Sequence, residues 1–76
     1  MKVSTFIDFA NISNQIVDLW SYNEDGELCR LCSMMEWELL KLPYADCTFD
    51  KLFAVIPESI YESDHINIAV KEKYKR

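Results

Sequence analysis

Cys29-Arg30-Leu31-Cys32 is a C-x-x-C, and Cys47 and His65 follow it downstream. Three thiolates and one imidazole form a donor set that holds tetrahedral Zn²⁺. A dithiol at a helix start is also a redox pair, because the positive helix end lowers a thiol pKa. The surroundings favour neither chemistry. Cys32 falls on an apolar stripe, and Cys29 stands about 60° from it on a helical wheel. The Gly- or Lys-bearing turn of a zinc knuckle is missing, as are the Trp or Pro neighbours of a redox motif. The expectation is three free thiols that belong to packing, with no metal and no cofactor.

Other catalytic chemistry finds little support. His65 is the sole histidine, and nothing marks a nucleophile beside it. The single glycine, Gly26, excludes a phosphate-cradling loop. Glu36/Glu38 and Glu24/Asp25 are not placed on a common pocket wall. Phe6-Ile7-Asp8-Phe9-Ala10-Asn11 resembles the first strand of the NYN/PIN-like nucleases, which open on a hydrophobic strand, an Asp and a nearby Asn. The resemblance implies a metal-dependent nuclease fragment in which Asp8 helps to hold a divalent metal. One carboxylate alone does not clamp a catalytic metal, so the chain is expected not to be an enzyme.

A second resemblance lies further along. Lys51-Leu52-Phe53-Ala54-Val55-Ile56-Pro57-Glu58-Ser59-Ile60-Tyr61 is similar to the C-terminal end of the Hha family of small nucleoid-associated proteins. There an aromatic-bearing helix, Ile-Pro-x-Ser and another aromatic end the chain. Glu27-Leu28, Ser33 and Glu36 fall in register with that family's long helix. This resemblance implies an all-α fold and a transcriptional co-regulator that binds an H-NS-type nucleoid protein.

Charge and composition point to binding. The 76 residues carry a net charge of −5 that is unevenly spread. The basic tail, residues 71–76 (KEKYKR), holds +3, whereas residues 1–70 hold −8. An acidic body repels phosphates and is drawn to basic surfaces, so direct nucleic-acid binding is not expected. Half the residues are hydrophobic, and two Trp, four Tyr and four Phe make the chain rich in aromatics. That composition argues for a folded domain with apolar surface to spare for a partner or a homodimer. Glu58, Glu62 and Asp64, near Tyr61, would form an acidic face with an aromatic anchor, and Met34 and Trp37 a partner-binding patch.

These features predict a small, non-enzymatic inhibitor or modulator, encoded by a phage or mobile element. It would occlude a basic, nucleic-acid-handling host protein complex, in the manner of an anti-CRISPR or anti-restriction protein. No apolar run reaches the roughly 18 residues of a membrane span, and Asp8 interrupts any signal-peptide core. An odd cysteine count suits a reducing compartment. The expected location is the cytoplasm, of the host if the gene is a phage's.

The elements that must position these residues read as one domain, 1–76. On a helical wheel, Leu28, Leu31, Cys32, Met35, Leu39 and Leu42 fall in one stripe about 100° wide. Asn23–Gly26 turns into that segment and Pro43 stops it. The spacing predicts a long central helix over residues 27–42, with Trp37 opposite Leu28. Alternation over Lys2–Phe9 predicts a strand, and Asn11 and Ser13 open a short helix over Asn14–Trp20. Thr48–Ile56 and His65–Tyr74 read as strands, with Pro57–Ser63 a turn between them. The predicted fold is α+β in the order β-α-α-β-β, a three-stranded sheet packed on two helices in two layers. The alternative is an all-α bundle, with 48–61 helical.

Overall fold

A computed structural model of the chain describes residues 1–54 and 64–74. The elements run α1 (Val3–Phe9), β1 (Ile16–Tyr22), β2 (Leu28–Met35), α2 (Glu36–Leu39), a 3-10 turn (Pro43–Asp46), β3 (Phe49–Phe53) and β4 (Ile66–Val70). The four strands form one mixed sheet in the order β2-β1-β4-β3. Hairpin β1–β2 and pair β3–β4 are antiparallel, and β1 and β4 run parallel through the centre.

This corrects the predicted architecture. Among the described residues the sheet has four strands, not three, and α1 alone is a helix of more than one turn. Lys2–Phe9 is not a strand, because Val3, Phe6 and Ile7, spaced i, i+3 and i+4, present one helical face to the core. The predicted helix Asn14–Trp20 is not formed, and its residues from Ile16 onward belong to β1. Asn11 ends a helix where it was expected to begin one. At φ +55° it closes α1 with a Schellman motif, in which Ile12 N–H donates to Ile7 O and Asn11 N–H to Asp8 O. The long helix 27–42 is strand β2 followed by the single turn α2. The all-α alternative falls with these corrections. Strands do occupy Phe49–Phe53 and Ile66–Val70, inside the two stretches read as strands near the C-terminus. The Pro57–Ser63 turn lies outside the described residues.

Burial explains the central pair. Val17, Asp18 and Leu19 on β1, and Asn67 through Val70 on β4, are buried consecutively and not alternately. A strand paired on both sides and covered on both faces shows this pattern. On the first face, Val17, Leu19, Ile68 and Val70 meet Val3 and Ile7 of α1 and Leu39 of α2 in one core cluster. Phe6 of α1 stacks on Phe49 of β3 with centroids 4.1 Å apart. The second face carries Asp18, Trp20, Asn67 and Ala69 at its centre.

Both edge strands are bulged. Leu31 is the extra residue of β2, between Cys32 opposite Leu19 and Arg30 opposite Trp20. Asp50 plays the same part in β3. Such irregularities blunt an edge against pairing with another chain.

The end of β4 is tied back to the start of β3. The Glu72 carboxylate accepts the Thr48 N–H at 2.8 and 3.0 Å and its hydroxyl at 3.0 Å. Desolvation raises the Glu72 pKa, but hydrogen bonds to the charged form outweigh it and hold the group below its ordinary 4.5. A carboxylate depressed on folding stabilises the fold above its unfolded pKa, and that contribution is lost as pH falls through the folded value. Glu72→Gln should therefore lower the urea midpoint at neutral pH. The loss should stay below about 1 kcal/mol for so exposed a pair. The two proteins should converge as pH falls below about 4.5; a gap that widens in acid would contradict the assignment.

Candidate functional site

The zinc donors are not brought together. Cys29 and Cys32 lie on β2 opposite Ser21 and Leu19, on the first face of the sheet. Cys47 follows the 3-10 turn and packs against the same core. His65 Nδ1 instead lies 3.2 Å from Asp18 Oδ2, on the second face. Among the described residues, no three His, Cys, Asp or Glu side chains are grouped to hold a metal. Burial pushes both the Cys32 and the Cys47 thiol up, away from the thiolate that zinc or redox chemistry requires.

Asp18 organises the second face. Its carboxylate is 2% exposed. It accepts the Ser33 hydroxyl from β2, faces Arg30 at 3.8 Å and meets the His65 imidazole from the start of β4. The carboxylate stands between serine and histidine, so the imidazole has no contact by which to activate the hydroxyl. This is a clamp across three strands, not a nucleophile relay. Arg30 also stacks on Trp20, 4.8 Å from the ring centroid. Trp20 donates its indole N–H to Asn67 Oδ1 at 3.0 Å and meets Phe53 edge-on. Sequence reasoning missed Asp18. The available signal was a lone acid inside an apolar run, Ile16-Val17-Asp18-Leu19-Trp20, which in a buried element needs partners.

The predicted partner-binding residues separate. Met34, on β2, is partly buried against the core. Trp37, on α2, is 50% exposed, with Lys41 Nζ 5.4 Å from its ring centroid. Asp64 is exposed. Glu58, Tyr61 and Glu62 lie outside the described residues. Trp37 has company that the sequence did not reveal, since Leu40, Leu42 and Tyr44 are also exposed large side chains. Local structure explains this. The one turn of α2 buries Glu36 and Leu39, so Trp37 faces outward, and Leu40, the residue that ends the turn, stays 45% exposed. Pro43 opens the 3-10 turn, which buries only Ala45.

Beside this stretch is a cleft of about 270 Å³. Ser4, Asp8, Asn11 and Ser13 give it polar walls, and Ile7, Ile12 and Leu40 apolar ones. Asp8 therefore sits on α1 and not at the end of a strand, so the structural premise of the nuclease resemblance fails. The all-α fold that the Hha resemblance implies is likewise not found: Lys51, Leu52 and Phe53 of the matched segment belong to β3, and its residues 55–61 lie outside the described residues. No described helix is long and apolar enough to cross a membrane. Comparison with protein-family models, with curated proteins and with solved structures finds no match to this chain.

Proposed function

We propose that the chain is a small protein-binding module whose contact surface is centred on Trp37. The observation that carries this reading is the run of exposed apolar side chains Trp37, Leu40, Leu42 and Tyr44, from α2 to the 3-10 turn. Burying such groups in a partner is favourable by about 25 cal/mol per Å², and tryptophan and tyrosine are enriched among the residues that dominate binding energy. Exposed acids flank the run, Glu38 within it and Asp46 just beyond it. With an excess of acids over the body as a whole, the fitting partner has a basic surface with an apolar centre. An inhibitor or modulator of phage or mobile-element type, acting in the host cytoplasm on a nucleic-acid-handling complex, meets that description. The binding is non-enzymatic and requires no cofactor.

The test is comparative capture from cell lysate. Immobilised wild type should retain a protein that Trp37→Ala and Leu40→Ser lose. Retention should weaken between about 0.1 and 1 M salt, as the screening length falls from about 10 to 3 Å. Equal retention by wild type and both variants would remove this surface from consideration. Loss in the variants without salt dependence would leave the apolar contact and discard the acidic one.

A further inference from the structure

The cleft that Leu40 shares with the exposed run has a chemistry of its own. Its one formal charge is Asp8, and among the described residues Asp8 has no ion-pair partner and no Lys or Arg lines the cleft. Asp8 stands in the last turn of α1, which contains no basic residue. The carbonyl end of a helix is partially negative, so an acid there is unfavourable and a cation favourable. The Schellman cap satisfies the Ile7 and Asp8 carbonyls, so the negative charge that the described residues leave uncompensated in the cleft is the Asp8 carboxylate. Ser4, Ser13 and Asn11, whose hydroxyls and amide are able to accept a hydrogen bond, line the same cleft. Ile7, Ile12 and Leu40 supply an apolar wall for an aliphatic stem. Leu40 belongs both to this wall and to the exposed run of the proposed contact surface.

We propose that the cleft receives one arginine side chain of the protein partner, as the charged anchor beside the Trp37 surface. The proposal rests on the protein-binding reading and names the chemistry of the partner at one point. Arginine fits better than lysine. Its planar fork offers several donors to a carboxylate and adjacent hydroxyls at once, and it is more weakly hydrated than an ammonium. A metal ion fits less well, because a single carboxylate provides too few hard ligands.

The full chain, labelled with ¹⁵N, is titrated with N-acetyl-arginine methylamide, with the citrulline analogue as a neutral isostere, and with Mg²⁺. The arginine probe should move the amide signals of Ser4, Asp8, Asn11, Ser13 and Leu40 along a weak, saturable curve. The citrulline analogue should not. Asp8→Asn removes an acid from the negative end of a helix and so keeps the fold; it should weaken the arginine probe at least about threefold, the scale of an exposed charge pair. No shift with arginine, equal shifts with citrulline, or shifts with Mg²⁺ alone would each overturn the proposal. Its fate is separable from that of the contact surface. If arginine fails to bind while Trp37→Ala still loses the captured protein, the cleft is refuted and the surface stands. If arginine binds while Trp37→Ala changes nothing, the cleft stands and the surface is refuted.

Discussion

Asp18→Ala should destabilise the protein by about 2–4 kcal/mol, on the scale of removing one member of a buried, hydrogen-bonded ionic cluster. In a domain of this size each kcal/mol shifts Tm by about 4–8 °C, so the midpoint should fall by more than about 8 °C. The estimate follows from the partners left behind. Ser33 loses the acceptor of its hydroxyl, and His65, whose side chain is 14% exposed, loses its carboxylate. Arg30 keeps 43% of its side chain in water, which moderates the cost of leaving it unpaired. Asp18→Asn keeps an acceptor for Ser33 and should lose less. Urea unfolding at constant m-value would measure both. A loss below about 0.5 kcal/mol for Asp18→Ala, the level of an ordinary surface change, would show that the cluster does not hold the sheet. The prediction bears on function only indirectly, since the clamp joins β1, β2 and β4, and β2 runs straight into α2, which bears Trp37.

The same region shows why the fold was only partly legible in the sequence. Leu28, Leu31, Cys32 and Met35 are spaced as on a helix. They lie on a strand whose bulge at Leu31 breaks the two-residue period. A bulge adds one residue, so the set that packs on the core, Leu31, Cys32 and Met34, does not alternate strictly. Leucine and methionine, good helix formers, strengthened the wrong reading; tertiary contacts with β1 overrode propensity. Over Lys2–Phe9 the opposite error arose. Val3 and Ile7 fit both a period of two and a helical face, and Phe6 decides between them. Its partner Phe49 is far away in sequence, so the deciding contact is not local. The turn at Asn23–Gly26 was legible because its chemistry is local. The Asn23 side chain accepts two N–H groups within four residues, and Gly26 takes φ +81°. Of the candidate site, the position of Trp37 away from the stripe that holds Leu39 was legible for a similar reason, because 36–39 is one turn of helix and the wheel holds over that turn; whether another layer covers that side was not. The Asp18 cluster was not, since His65 is 47 residues from Asp18 in the chain.

Two neighbours on that one turn provide the sharpest separation of fold from binding. Leu39 is fully buried in the core cluster, and Trp37, two residues earlier, is half exposed. Leu39→Ala should cost about 2–5 kcal/mol, combining lost transfer energy with the cavity left behind. Few other anchors would hold the connection between β2 and β3, in which Glu36 and Ala45 are the only further buried residues. Trp37→Ala gives up exposed surface and a cation–π contact with Lys41, worth about 0.5–1 kcal/mol at an exposed site. Its cost should stay below about 1 kcal/mol. The measurement is direct, because Trp37→Ala leaves Trp20 as the sole tryptophan, and its fluorescence reports unfolding of the central sheet. The expected pattern is a stable Trp37→Ala that has lost its partner, beside a Leu39→Ala whose binding fails only as its fold fails. Should Trp37→Ala prove as destabilising as Leu39→Ala, its loss of binding would follow from the fold, and Trp37 would belong to the core.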